Sequence, residues 1–174
     1  MKVNIALSPI ANVLAAINAA NVATSTNITE AQVTVGAPTA AGGTGGRNTS
    51  VLLTGINGQG IEGTRTFSYT RQTLDGGAVA STAPASVVVL QADTREQTLA
   101  KVVAALGLVA EEIEDLSWTA PVDQATPGTM TIAAVNPGYL YLGTRGVALH
   151  FVDADVPFAE VAPITDLDSF EAEE

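Results

Sequence analysis

Four carboxylates fall close together at Glu111, Glu112, Glu114 and Asp115. Paired carboxylates do acid/base work when they face one another across a bond, as in glycoside hydrolysis. Adjacency along a chain is not that opposed geometry. A calcium loop needs alternating acids around a central glycine, and that spacing is absent. The group reads as a solvated acidic face. His150 is the chain's single histidine and lies in Val147-Ala148-Leu149-His150-Phe151-Val152. Strand alternation puts it on one face with Ala148 and Val152. A triad needs a nucleophile, a base and an orienting group, and no nucleophile-elbow pattern surrounds any serine. His150 therefore reads as a residue of a sheet surface or subunit contact. The cluster Gly42-Gly43-Thr44-Gly45-Gly46-Arg47 is the third candidate. A phosphate cradle follows a strand and opens a helix, whereas this cluster precedes a strand. It reads as a surface loop. Trp118, Tyr69, Tyr139 and Tyr141 form no aromatic ladder and suit packing. With no cysteine, thiolate zinc, iron–sulfur clusters and a cysteine nucleophile are excluded, and one histidine excludes multi-histidine metal sites. The expectation is a non-enzymatic chain with no catalytic, cofactor-binding or metal residues.

The elements that must position these residues follow from pattern. Ser8 caps a helix and Pro9 fits its first position. Ile10, Val13, Leu14, Ile17 and Ala20 then share one face, with Asn12, Asn18 and Asn21 off it, giving a helix over about 9–22. Strands are expected at Gln32–Val35, Thr49–Ile56 and Thr64–Leu74. Asn57-Gly58 marks a longer hairpin between the last two. Ser86–Leu90 is short, β-branched and apolar, as in a strand buried on both faces. Asp93 or Thr94 caps a second helix over about 95–106, whose stripe is Leu99, Val102, Val103 and Leu106 and whose stop is Gly107. Thr129–Val135, Tyr139–Gly143 and Val147–Val152 complete the strands, with Asn136-Pro137-Gly138 as a turn. Leu108–Trp118 is acidic and takes no clear assignment. Strands outnumber helices without regular alternation. The expected fold is α+β, with a mainly antiparallel sheet, two helices and an irregular acidic C-terminal arm. Residues 1–152 form one domain, and 153–174 a tail or arm.

Length and charge bound the rest. A chain of 174 residues buries a core without staples. At 47% hydrophobic it is not of disordered composition. The net charge of -11 is unevenly placed. Residues 1–101 carry six basic and five acidic residues, or +1, while 102–174 carry Arg145 against thirteen acids, or -12. No basic stripe offers a phosphate footprint, so direct nucleic-acid binding is not expected. The apolar start, Met1–Ala23, is broken by Pro9 and several asparagines, unlike a secretory signal. No stretch is long and apolar enough to span a membrane. Asn27-Ile28-Thr29 and Asn48-Thr49-Ser50 match the glycosylation pattern but read as turn and strand-start residues.

The last segment carries Phe151, Val156, Phe158, Val161, Ile164, Leu167 and Phe170, apolar residues spaced through an acidic, proline-bearing stretch. Such a stretch builds no core of its own. It suits an arm along a neighbouring subunit, with its apolar residues in pockets and its backbone on an open strand edge. These seven are the candidate subunit-contact residues.

Three segments resemble small structural proteins of tailed bacteriophage particles. They are Leu14–Asn21 with Ile28–Pro38, Arg47–Val51 leading to the hairpin end Phe67–Arg71, and Tyr139–Gly143. The resemblance implies a virion structural component, assembled in the host cytoplasm from copies of itself and other virion proteins. It brings no catalytic residues. A capsid-associated or decoration protein is the leading expectation. A tail-tube, collar or other tail protein is the first alternative, and a receptor- or carbohydrate-binding module the second.

Overall fold

The computed structural model describes residues 2–24, 27–41, 44–122 and 126–152. The first helix, α1, spans Pro9–Ala20. Ser8 Oγ accepts the backbone N–H of Ala11 at 3.1 Å, and Pro9 occupies the first turn, where a missing N–H costs nothing. The helix stops at Ala20 and a single 3-10 turn, Val22–Thr24, follows, so the helical run to 22 is tightened at its end. Val13, Leu14 and Ile17 are buried as the spacing requires. Asn12 is buried as well, although it lies off the apolar stripe. Its Oδ1 accepts from Asn4 N at 2.7 Å, and its Nδ2 donates to the carbonyls of Asn4, Leu7 and Ser8. A buried amide with all these partners fixes the N-terminal strand of chain onto the helix.

Strands β1 (Val33–Val35), β2 (Thr39–Ala40), β3 (Thr49–Gly55) and β4 (Thr64–Tyr69) form one antiparallel sheet. The center is β3, with β1 and β2 on one side and β4 on the other. The Asn57-Gly58 hairpin is present, with Gly58 at φ 80. The single strand expected over 64–74 divides. At Arg71 the chain leaves β3, and β5 (Gln72–Thr73) pairs in parallel with β9 (Tyr141–Leu142). Gln72 N donates to Leu140 O at 2.9 Å and Leu74 N to Leu142 O at 3.0 Å.

A short helix, α2 (Gly77–Thr82), was not expected. Gly76 gives it no side-chain cap, so buried Val79 rather than a sequence signal holds it. The next helix is α3, Arg95–Ala105. Thr94, not Asp93, is its cap, and Gln97 completes a reciprocal capping box. Asp93 instead accepts Leu90 N and pairs with Lys101. Gly107 closes the helix at φ 61, and Leu108 N returns to Val103 O at 3.0 Å.

The second sheet has the order β6 (Val87–Leu90), β10 (Thr144–Val152), β8 (Gly128–Ala134), β7 (Ile113–Thr119). β10 pairs antiparallel with β8 and parallel with β6. The acidic stretch that took no assignment is a 3-10 turn, Ala110–Glu112, followed by edge strand β7. A bulge between Asp115 and Ser117 breaks its alternation. α3 packs on β6 and β7. One core joins both sheets, from Val13 and Ile17 through Val51 and Leu53 to Val102, Met130, Ile132 and Leu149. Full burial of each such side chain contributes about 1.5–3 kcal/mol. The fold is α+β with mainly antiparallel sheets, as the residue pattern implies.

Candidate functional site

The densest polar cluster lies where the two sheets meet. Glu112 ends the 3-10 turn and is 3% exposed, so it is not part of a solvated acidic face. Its Oε1 accepts Tyr139 N at 2.8 Å and its Oε2 accepts Leu140 N at 3.0 Å. Its own carbonyl accepts Val135 N. The carboxyl thus takes over the backbone donors of the turn after Asn136-Pro137-Gly138, which would otherwise be buried without partners. From the opposite side, Arg71 Nη1 donates to Gly138 O at 2.6 Å and the Tyr69 hydroxyl to Tyr139 O at 2.8 Å. Arg71 Nε donates to the buried Thr49 Oγ1, and Asn48 Oδ1 accepts Arg71 N. A Cβ on Gly138 would stand 2.5 Å from Val135 O and 2.7 Å from Glu112 Oε2, so only glycine lets the turn approach this closely. The hairpin sheet, the acidic turn and the 138–140 turn are locked together by one carboxyl, one guanidinium and one phenol.

Burial pushes the Tyr69 phenol up to about 12, with Arg71 opposing and Glu112 adding to the rise. Tyr139 is raised by burial and by Glu112, and Tyr141 by burial above all. All three hydroxyls therefore hold their protons at neutral pH; Tyr69 donates to Tyr139 O, while Tyr141 accepts the Val109 N–H at 3.3 Å. A phenol raised in the folded state stabilizes the fold fully below its unfolded value near 10, and that contribution is lost as pH rises toward about 12. Stability should accordingly fall between about pH 10 and 12, and Tyr69→Phe should flatten that fall. Denaturant midpoints measured across this range, alongside tyrosinate absorbance, check both; an unchanged slope in Tyr69→Phe would contradict the assignment.

The second candidate is the outer face of the β6–β10–β8–β7 sheet. Ser86–Leu90 is not buried on both faces. Val87 and Val89 point into the core, while Val88 is 54% and Leu90 41% exposed. The reason is position: β6 is an edge strand with α3 on only one side, and a four-residue apolar run does not reveal which face is covered. Exposed His150 pairs with Val88 in register, next to exposed Ala148. His150 therefore sits at a sheet surface, as its alternation implies. At the other edge, Leu116 in the β7 bulge is 54% exposed.

The remaining sequence candidates are placed as follows. Glu111 and Glu114 are exposed, and Asp115 is half-buried and paired with Arg95. Gly45 and Gly46 form a turn at positive φ with exposed Arg47, while Gly42 and Gly43 lie outside the described residues. Trp118 is half-buried against the core. Phe151 is only 6% exposed, on the inward face of β10 with Val147 and Leu149, so its ring packs within its own chain. Val156, Phe158, Val161, Ile164, Leu167 and Phe170 lie outside the described residues. Among the described residues no group of three or more potential ligands converges on a metal position, and no helix is long and apolar enough to cross a membrane. Residue-type reasoning missed two features: the burial of Glu112 and the uncovered face of β6. The signal for the first was a carboxylate placed directly before the apolar start of a strand, Ile113.

No curated protein and no solved structure matches the chain. A family model, described as a family of unknown function, DUF7941, matches residues 3–172, running through both sheets and on into the acidic C-terminal stretch. With nearly the whole sequence matched, the chain belongs to DUF7941.

Proposed function

We propose that this chain is a non-enzymatic structural component of a tailed-bacteriophage particle, working through contacts with copies of itself and other particle proteins. The observation that carries the assembly reading is the outer face of β6, where Val88 and Leu90 stand exposed beside Ala148 and His150 on an edge that is unpaired among the described residues. An apolar strand edge left open invites pairing with another chain, and soluble monomers blunt such edges with charge or cover. No charged side chain lies on β6. The particle reading rests on the resemblance of the segments around α1, the β3–β4 hairpin and Tyr139–Gly143. Within it, a capsid-associated or decoration position comes ahead of a tail-tube, collar or other tail position.

Gold-labelled antibody against the purified chain, applied to particles of a phage that encodes it, tests the reading. Dense label over the shell is the expected result. Label confined to the tail would move the assignment to the tail alternative. Unlabelled intact particles would overturn it.

A further inference from the structure

A groove of about 590 Å³ runs between α1 and β4, lined by Val13, Ile17, Arg47, Arg65, Phe67 and Tyr69 among others. Consecutive residues of β4 from Arg65 to Tyr69, with Thr70 after them, line it, so both faces of the strand border it and it follows the strand's open edge. Among the described residues β4 pairs only with β3. Its lining mixes apolar side chains with Asn21, Thr66, Ser68 and Thr70, and among the described residues its only charges are cationic. Arg47 and Arg65 are exposed, and among the described residues neither has a carboxylate within ion-pair distance; the pairs there are Arg95–Asp115 and Lys101–Asp93. Arg65 lies 5.6 Å from the Phe67 ring centroid, which holds the cation over the groove wall.

The complement of this groove is written in the same chain. Residues 153–174 hold eight acids and no Lys or Arg, with apolar residues interspersed. Pro157 and Pro163 lack the N–H a strand pairing needs, so the pairing-competent stretch follows Pro163. In an extended segment alternate residues share a face. Ile164, Asp166, Asp168 and Phe170 then fall together, two carboxylates flanked by two apolar side chains. We propose that the acidic segment 153–174 of one copy docks in the α1–β4 groove of a second copy, residues 164–170 adding a strand to β4 with Asp166 and Asp168 against Arg47 and Arg65. The inference rests on the assembly reading and adds to it a second contact, distinct from the β6 face. β10, which leads into the segment, lies in the other sheet between β8 and β6, whereas the groove belongs to the first sheet and α1. Groove and segment are different surfaces, so the contact is heterologous, and repetition of it closes rings or extends filaments.

The chain has no cysteine, which makes a direct test clean. Full-length Thr66→Cys, on exposed β4, is mixed with full-length Ser169→Cys under mild oxidation. Disulfide heterodimer is expected several-fold above a control mixture of Ser169→Cys with Thr129→Cys, on the other sheet. Adding Arg47→Glu and Arg65→Glu to the Thr66→Cys chain should lower the yield about tenfold, as rim charge pairs of about 0.2–1 kcal/mol each plus repulsion imply. Asp166→Lys and Asp168→Lys on the partner chain should restore it. Equal yields with the control would overturn the inference. So would a Thr66→Cys/Ser169→Cys chain that closes only on itself, which would put the segment in its own groove. Sedimentation of the unsubstituted chain separates the two failures: an oligomer without the cross-link removes the groove contact alone, and a monomer removes the assembly reading with it.

Discussion

Glu112→Ala should unfold at much lower denaturant than the native chain, with a loss of about 3–6 kcal/mol. The figure follows from two hydrogen bonds to a charged acceptor, about 1.5–3 kcal/mol each. Both are buried: Tyr139 N and Leu140 N would be left without acceptors inside the junction of the two sheets. Against a total stability of about 5–15 kcal/mol, that is a large share. Glu112→Gln keeps one acceptor oxygen but turns an amide N–H₂ toward a backbone donor, so it should cost less than alanine yet clearly more than nothing. Glu114→Ala is the matched control, because Glu114 is exposed on β7 and should change stability by less than about 0.5 kcal/mol. Urea unfolding of the three variants gives the order. Equal stabilities for Glu112→Ala and Glu114→Ala would show that the buried carboxyl does not hold the 138–140 turn.

The second large effect concerns association rather than folding. Val88→Asp with Leu90→Asp should leave the fold nearly intact, since both side chains point outward from an edge strand. A stability change within about 1–2 kcal/mol is expected from strand preference alone. Association through this face should weaken at least about a hundredfold, because two apolar contact residues of about 2 kcal/mol each are lost and two charges would be buried. Glu114→Lys, on the far edge of the same sheet, should not reproduce the effect.

Much of the fold is legible because local signals and burial agree. Ser8-Pro9, the Thr94–Gln97 box and Gly107 mark helix ends by hydrogen bonds that the side chains themselves make. The β3–β4 hairpin follows from alternation around Asn57-Gly58. The failures share a different cause. β7 is hard to read because the bulge at Leu116 interrupts its period of two and Glu114 and Asp115 resemble a solvated run. Glu112 is hidden for the same reason: its partners are backbone groups of residues 139 and 140, contacts that only the tertiary fold creates. Asn12 is the helical counterpart, a polar residue off the stripe buried by the chain that precedes the helix. Val87–Leu90 reads as fully buried because period-two burial cannot be seen in a run with no polar residue. The uncovered half of that strand is where the assembly reading begins.

Sedimentation velocity of the full chain across a concentration series, with the Val88→Asp/Leu90→Asp chain alongside, tests the central claim most directly. A concentration-dependent species heavier than the 17.7 kDa chain, shifted to smaller species in the double variant while its circular dichroism is preserved, is the predicted result. A native chain that remains a single 17.7 kDa species at its highest soluble concentration would contradict it.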